Sequence, residues 1–249
     1  MLIDTHCHIH ESSYPLNADD VLARARLSGV ERLICVGTNP TSSREAVGFA
    51  QGYDGVFSSV GVHPHDTKEG LGDIASHMEQ TKLVAIGEIG LDYFYTHSPR
   101  DVQIEALQTQ IELALKHNLP IIFHVRDAFE DFWPIFDNFQ GIRGELHSFT
   151  DIQTNLEEGL KRGLYVGVNG ISTFTKDKAQ AAMFAAIPSA RLLLETDAPF
   201  LTPAPLRGKV NEPAYVMSIA EHHARLRGLS LEELAAITTA NANALFALD

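Results

Sequence analysis

The chain has 249 residues, 19 Lys and Arg against 32 Asp and Glu for a formal net charge of −13, and 45% hydrophobic residues. This composition excludes wholesale disorder, and the acidic balance argues against a protein that coats long nucleic acid with a broad basic face. Two cysteines, Cys7 and Cys35, exclude a disulfide scaffold and a four-cysteine zinc site, and no uninterrupted apolar run nears the ~18 residues of a membrane span, so a soluble cytoplasmic protein without signal peptide is expected.

Short apolar runs alternate with longer helical patterns from end to end. Strands are expected at 2–6, 32–37, 57–63, 84–90, 120–125, 144–148, 164–168 and 192–197, each rich in Val, Ile, Leu or Gly and short enough for a buried parallel strand. Helices are expected between them. The first, 17–28, carries an N-cap at Asn17 and a stop at Gly29; others are 42–51, 127–138, 152–162 and 176–185. The longest, 100–118, repeats Ile104, Leu107, Ile111 and Leu115 at three- and four-residue steps. The tail reads as helices 212–227 and 231–248, with Leu229 and Ser230 as break and cap. Eight strands alternating with helices in this length is the arithmetic of a (β/α)8 TIM barrel. The competing doubly wound sheet lacks both a G-x-G-x-x-G after the first strand and a Walker loop. No linker, repeat or low-complexity tract divides the chain, so one domain over 1–249 is expected, with 202–213 as a long loop after the eighth strand.

Active sites of such barrels sit at the C-terminal ends of the strands. The first strand ends Asp4-Thr5-His6-Cys7-His8, and alternation puts His6 and His8 on one side and Cys7 on the other. Glu88 is an isolated carboxylate in an apolar strand, expensive to bury unless paired or bound to a metal. His124, His147 and Asp197 stand at three further strand ends. Taken singly, His124 or His147 reads as a satisfied core histidine. Together, five strand ends supply six ligand-type residues, more than one tetrahedral zinc uses, and they suit two metals about 3.5–4 Å apart bridged by a carboxylate. Glu88 is the natural bridge, and Asp197 can both bind a metal and accept a proton from an attacking water.

The motifs Asp4-Thr5-His6-Cys7-His8, Gly61-Val62-His63-Pro64, Gly87-Glu88-Ile89-Gly90-Leu91-Asp92 and Glu195-Thr196-Asp197-Ala198-Pro199 resemble those of the TatD family of metal-dependent hydrolases. So do His124 with Arg126, His147-Ser148-Phe149 and Arg207-Gly208-Lys209 followed by Asn211-Glu212-Pro213. The resemblance runs in order from residue 4 to about 216. It implies a barrel of the amidohydrolase superfamily, one or two divalent ions (Zn, Mg or Mn), and deoxyribonuclease activity that trims single-stranded DNA or RNA from a 3′ end; no obligate protein partner is implied. Carried over by motif, His6, His8, Glu88 and Asp197 hold a first metal, and Glu88, His124 and His147 a second. One departure is Ser148, where the motif usually has cysteine; by alternation it points away from His147, and no loss of metal binding is expected. His63 is placed to contact a phosphate or leaving group, or is a structural histidine beside Pro64. Arg126 is placed to clamp a phosphate, or pairs with Asp127 or Glu130. Arg207 and Lys209 are candidates to track a nucleic-acid backbone, or are solvated loop charges. Asp92 is a candidate orienting residue and Asp4 a supporting carboxylate. His10, His65, His77, His97, His117, His222 and His223 receive no role. The alternative keeps the metals and changes the substrate to a small amide, lactone or phosphoester, because fold alone does not choose.

Overall fold

The computed structural model describes residues 1–248. Among these the strands are β1 (Leu2–Cys7), β2 (Val30–Val36), β3 (Val56–Val60), β4 (Leu83–Asp92), β5 (Ile121–Arg126), β6 (Gly144–Leu146), β7 (Tyr165–Val168) and β8 (Leu192–Leu194). The helices are α1 (Ala18–Leu27), α2 (Pro40–Gly52), α3 (Arg100–Lys116), α4 (Phe129–Asp137), α5 (Gln153–Lys161), α6 (Ile171–Phe174), α7 (Lys178–Ala186), α8 (Val216–Arg227) and α9 (Leu231–Phe246). The strands follow chain order in one sheet, which with the intervening helices is the (β/α)8 barrel expected from the sequence. No helix among the described residues is long and apolar enough to cross a membrane.

The described residues form two compact units, Cys35–His147 and the pair of segments 1–34 and 148–248. In the first, β3, β4, β5 and β6 pair in parallel. Every residue of β4 is buried, as a strand covered on both faces requires. Its register against β5 slips between Ile86 and Ile89, and Glu88 lies in this irregularity. Bulges of this kind re-aim side chains beside functional sites. Two residues on, β4 and β5 approach so closely that a Cβ on Gly90 would overlap the His124 carbonyl, so only glycine fits there. Phe123, Ile121, Ile122, Leu107, Ile111 and Phe132 fill this unit's core.

Helix α3 departs from the expected stripe in an informative way. Leu107 and Ile111 are buried, but so are Gln103 and Gln110, which replace Ile104 and Leu115 on the inward face. Each glutamine clamps a loop. Gln110 accepts from the Val62 N–H at 2.8 Å and donates to the Val62 carbonyl at 3.2 Å; Gln103 accepts from the Asp92 N–H at 2.9 Å and donates to the Asp92 carbonyl at 3.1 Å. The helix thereby fixes the segments that carry His63 and Asp92.

In the other unit, β7 and β8 pair in parallel, a bridge joins Cys7 to Ala198, and α8 and α9 pack against β1 and β8. Asn17 caps α1 by accepting from the Asp20 N–H, and Gly29 follows with φ 77°, the stop that the sequence indicates. Ser230 and Glu233 close a capping box on α9. Helix α2 begins at Pro40, earlier than expected, because Asn39 caps it and proline is tolerated at the first helical position.

Candidate functional site

On β1 the alternation is realised. His6 Nε2 and His8 Nε2 stand 3.2 Å apart, while the Cys7 thiol donates to the Ile34 carbonyl at 3.4 Å. Past β8 the Glu195 N–H still reaches the Val168 carbonyl at 3.1 Å, and the donors after it turn elsewhere: the Thr196 N–H goes to Asp4 Oδ1 at 2.8 Å and the Asp197 N–H to the His6 carbonyl at 2.8 Å. The His8 N–H returns to the Ala198 carbonyl at 2.7 Å. This stitching carries Asp197 Oδ1 to 3.7 Å from His6 Nε2 and 3.4 Å from His8 Nε2. Donors of a tetrahedral zinc with bonds of 2.0–2.2 Å stand about 3.3 Å from one another. The three atoms therefore have the mutual spacing of a metal's ligands, and two ring nitrogens brought together out of water fit a shared cation.

Asp4 braces this cluster from the same strand. Its carboxyl accepts from the His6 N–H at 3.3 Å and from the Thr196 hydroxyl at 2.6 Å. Complete burial raises its pKa to about 8, and the bonds from Thr196 offset that only in part. The Asn211-Glu212 motif is structural. Asn211 donates to the Thr196 carbonyl at 2.8 Å and also to the Phe200 carbonyl, while Glu212 takes a bidentate contact from Arg24 at 2.9 and 2.6 Å.

In the unit Cys35–His147, imidazoles surround one carboxylate oxygen. Glu88 Oε1 lies 2.8 Å from His124 Nδ1, 3.6 Å from His63 Nε2 and 3.8 Å from His147 Nε2. The other nitrogen of His124 is 3.0 Å from Asp92 Oδ2, which His65 Nε2 also reaches at 2.9 Å. Asp92 Oδ1 accepts the N–H groups of Phe94 and Tyr95, each at 3.0 Å. Burial alone would raise the Asp92 pKa, but the bonds from His124, Tyr95 and His65 outweigh it and hold the carboxyl below its usual range. His124 is the converse: burial lowers its pKa, and Asp92 and Glu88 together push it above the ordinary value. A histidine with one nitrogen on a ligand carboxylate and the other donating to a second carboxylate has the form of a metal ligand fixed from behind.

His63 differs from its neighbours. Sequence reasoning puts it at the end of the third strand, but β3 stops at Val60, because the Gly61 N–H turns to the Ser43 hydroxyl and the Val62 N–H to Gln110. Its Nδ1 accepts from the His65 N–H at 3.2 Å, so in the neutral ring Nε2 carries the proton and faces Glu88 as a donor. Burial, and then the neighbouring His124, hold its pKa well below the ordinary value. The ring is neutral and donates, unlike His124, whose two nitrogens both meet carboxylates.

Arg126 does not pair with Asp127 or Glu130; among the described residues its guanidinium makes no hydrogen bond, and its carbon lies 3.9 Å over the Phe94 ring and 5.0 Å over the Tyr95 ring. Arg207 is exposed, donates to the Thr202 carbonyl at 3.0 Å and stacks on Phe174 at 3.9 Å; the exposed Lys209 follows on the same loop. Ser148 accepts from Asn169 Nδ2 at 2.6 Å, and its N–H donates to Glu195 at 2.7 Å. Sequence reasoning missed His65, which it left without a role. The signal was its position two residues after His63, but that spacing carries weight only once a fixed loop, rather than a strand, presents both rings.

A model of the family described as TatD related DNase matches residues 3–247. The chain is 41% identical over 255 residues to the uncharacterized metal-dependent hydrolase YabD of Bacillus subtilis (strain 168), with 100% of both covered. It is 36% identical over 258 residues to the 3′-5′ ssDNA/RNA exonuclease TatD of Citrobacter rodentium (strain ICC168), covering 99% of this chain and 98% of that one. The crystal structure of YJJV, the TatD homolog from Escherichia coli K12, superposes with a TM-score of 0.91 at 26% identity, covering 99% and 98% of the two chains.

Proposed function

Because this chain belongs to the family of TatD-related DNases and is a metal-dependent hydrolase, we propose that it removes nucleotides from the 3′ ends of single-stranded DNA or RNA. The relatives named 3′-5′ ssDNA/RNA exonuclease support the substrate class. The observation that carries the reading is the pair of histidine–carboxylate clusters, His6–His8–Asp197 and Glu88–His124–His147. Each would hold one divalent ion, Zn, Mn or Mg, and Glu88 would serve both only as the family motif implies. When bound, the ions lower the pKa of water and neutralise charge building on a phosphate.

The chain's own residues do the rest. Asp197 is the more open member of its cluster, at 16% side-chain exposure against 0% for His6, and accepts the proton of the attacking water. His63 donates from Nε2 to a phosphate oxygen or to the departing oxygen. Arg126, whose guanidinium makes no hydrogen bond among the described residues, offers its outward N–H groups to a phosphate. Arg207 and Lys209 meet the backbone further along. Such a grip on a few nucleotides suits a chain of net charge −13, whose exterior would repel long nucleic acid. The two buried free cysteines suit a reducing compartment such as the cytoplasm.

The test is a time course on 3′- and 5′-labelled single-stranded oligonucleotides with Mg²⁺, Mn²⁺ or Zn²⁺ and a chelator control. Stepwise shortening of the 5′-labelled strand, with immediate loss of the 3′ label, is expected. Inert oligonucleotides alongside rapid turnover of a small lactone, amide or phosphotriester would overturn the reading.

A further inference from the structure

Beside the Glu88–His124 cluster lies an exposed group of rings with no evident structural use. Phe94 and Tyr95 follow the end of β4 with 54% and 42% of their surface open to water. They are held by the bonds of their own N–H groups to Asp92, the carboxylate that also fixes His124. The Tyr95 ring contacts His65 at 5.3 Å and lies nearly parallel to His97, at 5.6 Å and 18°. The Arg126 guanidinium covers one face of Phe94 at 3.9 Å. Two large aromatic rings left in water, one backed by a cation, are costly on a protein surface unless something covers them. Planar rings braced by an arginine, beside a site for phosphate chemistry, match what binds unpaired bases: every base has a face to stack, and the arginine meets both ring and phosphate.

The Phe94 and Tyr95 rings stand 4.7 Å apart at 84°, so we propose that Phe94, braced by Arg126, gives the stacking face for one nucleobase of the single-stranded substrate and Tyr95 the wall at its edge, seating the base next to the Glu88–His124 cluster. This rests on the nucleic-acid reading above and deepens it. Stacking is blind to base identity, so the platform gives preference for single strands over duplex without sequence preference. Its position is set by Asp92, so base and cluster are registered by one carboxylate.

The test uses metal-loaded protein and a single-stranded phosphorothioate DNA hexamer with 2-aminopurine at its 3′ end, whose fluorescence falls on stacking. Wild-type protein should quench it, and the exposed double substitution Phe94→Ala/Tyr95→Ala should raise Kd about tenfold and abolish the quench. Phe94→Trp/Tyr95→Ala should recover most of both, which a general effect on the loop would not. Binding of an abasic hexamer should differ less than twofold between wild type and the double variant. If wild type binds and shortens the oligonucleotide while the double variant matches it in Kd and quench, the platform is refuted and the nuclease reading stands. If wild type neither binds nor shortens any oligonucleotide, both fall.

Discussion

Replacing Asp92 with asparagine separates a residue that holds a ligand from one that binds the metal. In the native fold Asp92 Oδ2 sits 3.0 Å from His124 Nε2 and 2.9 Å from His65 Nε2, while Oδ1 takes the Phe94 and Tyr95 N–H groups. Asparagine keeps one carbonyl oxygen for the backbone pair and turns an NH2 group toward two imidazoles. The bond to His124 changes from charge-assisted, worth about 1.5–3 kcal/mol, to absent or neutral. A loss of about 1.4–2.7 kcal/mol in orientation corresponds to about 10–100-fold weaker binding of the ion at Glu88, His124 and His147. Metal titration against a competing chromogenic chelator reads this directly. The ion at His6, His8 and Asp197 should keep its affinity, so the two binding steps should separate in the variant. Wild-type affinity for both ions in Asp92→Asn would refute the bracing role.

Other perturbations reach different parts of the molecule. Glu88→Ala should cost the protein both ions and all measurable nuclease rate; elemental analysis showing one ion retained would confine Glu88 to the cluster with His124. Gln110→Ala leaves the Val62 N–H and carbonyl without their side-chain partner in the interior, at about 1–3 kcal/mol for each group, so urea unfolding should report a loss of about 2–6 kcal/mol. His223 is fully buried, donates to the Ser172 hydroxyl at 2.9 Å and accepts from Arg227 at 2.7 Å; burial, and then Arg227, hold its pKa well below the ordinary 6.5. The unfolded chain takes up this proton near pH 6.5 and the folded chain does not, so stability is complete above that pH. It falls by up to about 1.4 kcal/mol per pH unit below it. In His223→Gln that part of the slope should vanish from denaturation curves taken between pH 7.5 and 5.5.

The strands were legible because each is a short apolar run, and the four imidazoles and two carboxylates stood out because such groups are rare at the ends of apolar strands. Less legible was everything that depends on where backbone donors go. The ladder of β3 stops short of His63 because Ser43 and Gln110 capture the Gly61 and Val62 donors, and neither partner is near in sequence. Gln103 and Gln110 lie outside the apolar stripe of Ile104, Leu107, Ile111 and Leu115, yet both face inward, since a glutamine pairs the N–H and the carbonyl of one residue and so can be buried without loss. From the sequence Asp92 is no more than a candidate orienting residue. Its hold on two histidines and on the Phe94 and Tyr95 N–H groups joins residues from three segments, which no local pattern announces.

The proposed function requires two ions, one at each histidine–carboxylate group. It is tested most directly by counting metal per chain in wild-type protein, in His8→Ala and in His124→Ala, each reconstituted with excess Zn²⁺ or Mn²⁺ and freed of unbound ion. Two ions in the wild type and one in each variant are predicted. An unchanged count in both variants, or a fully active wild type that carries no metal, would contradict it.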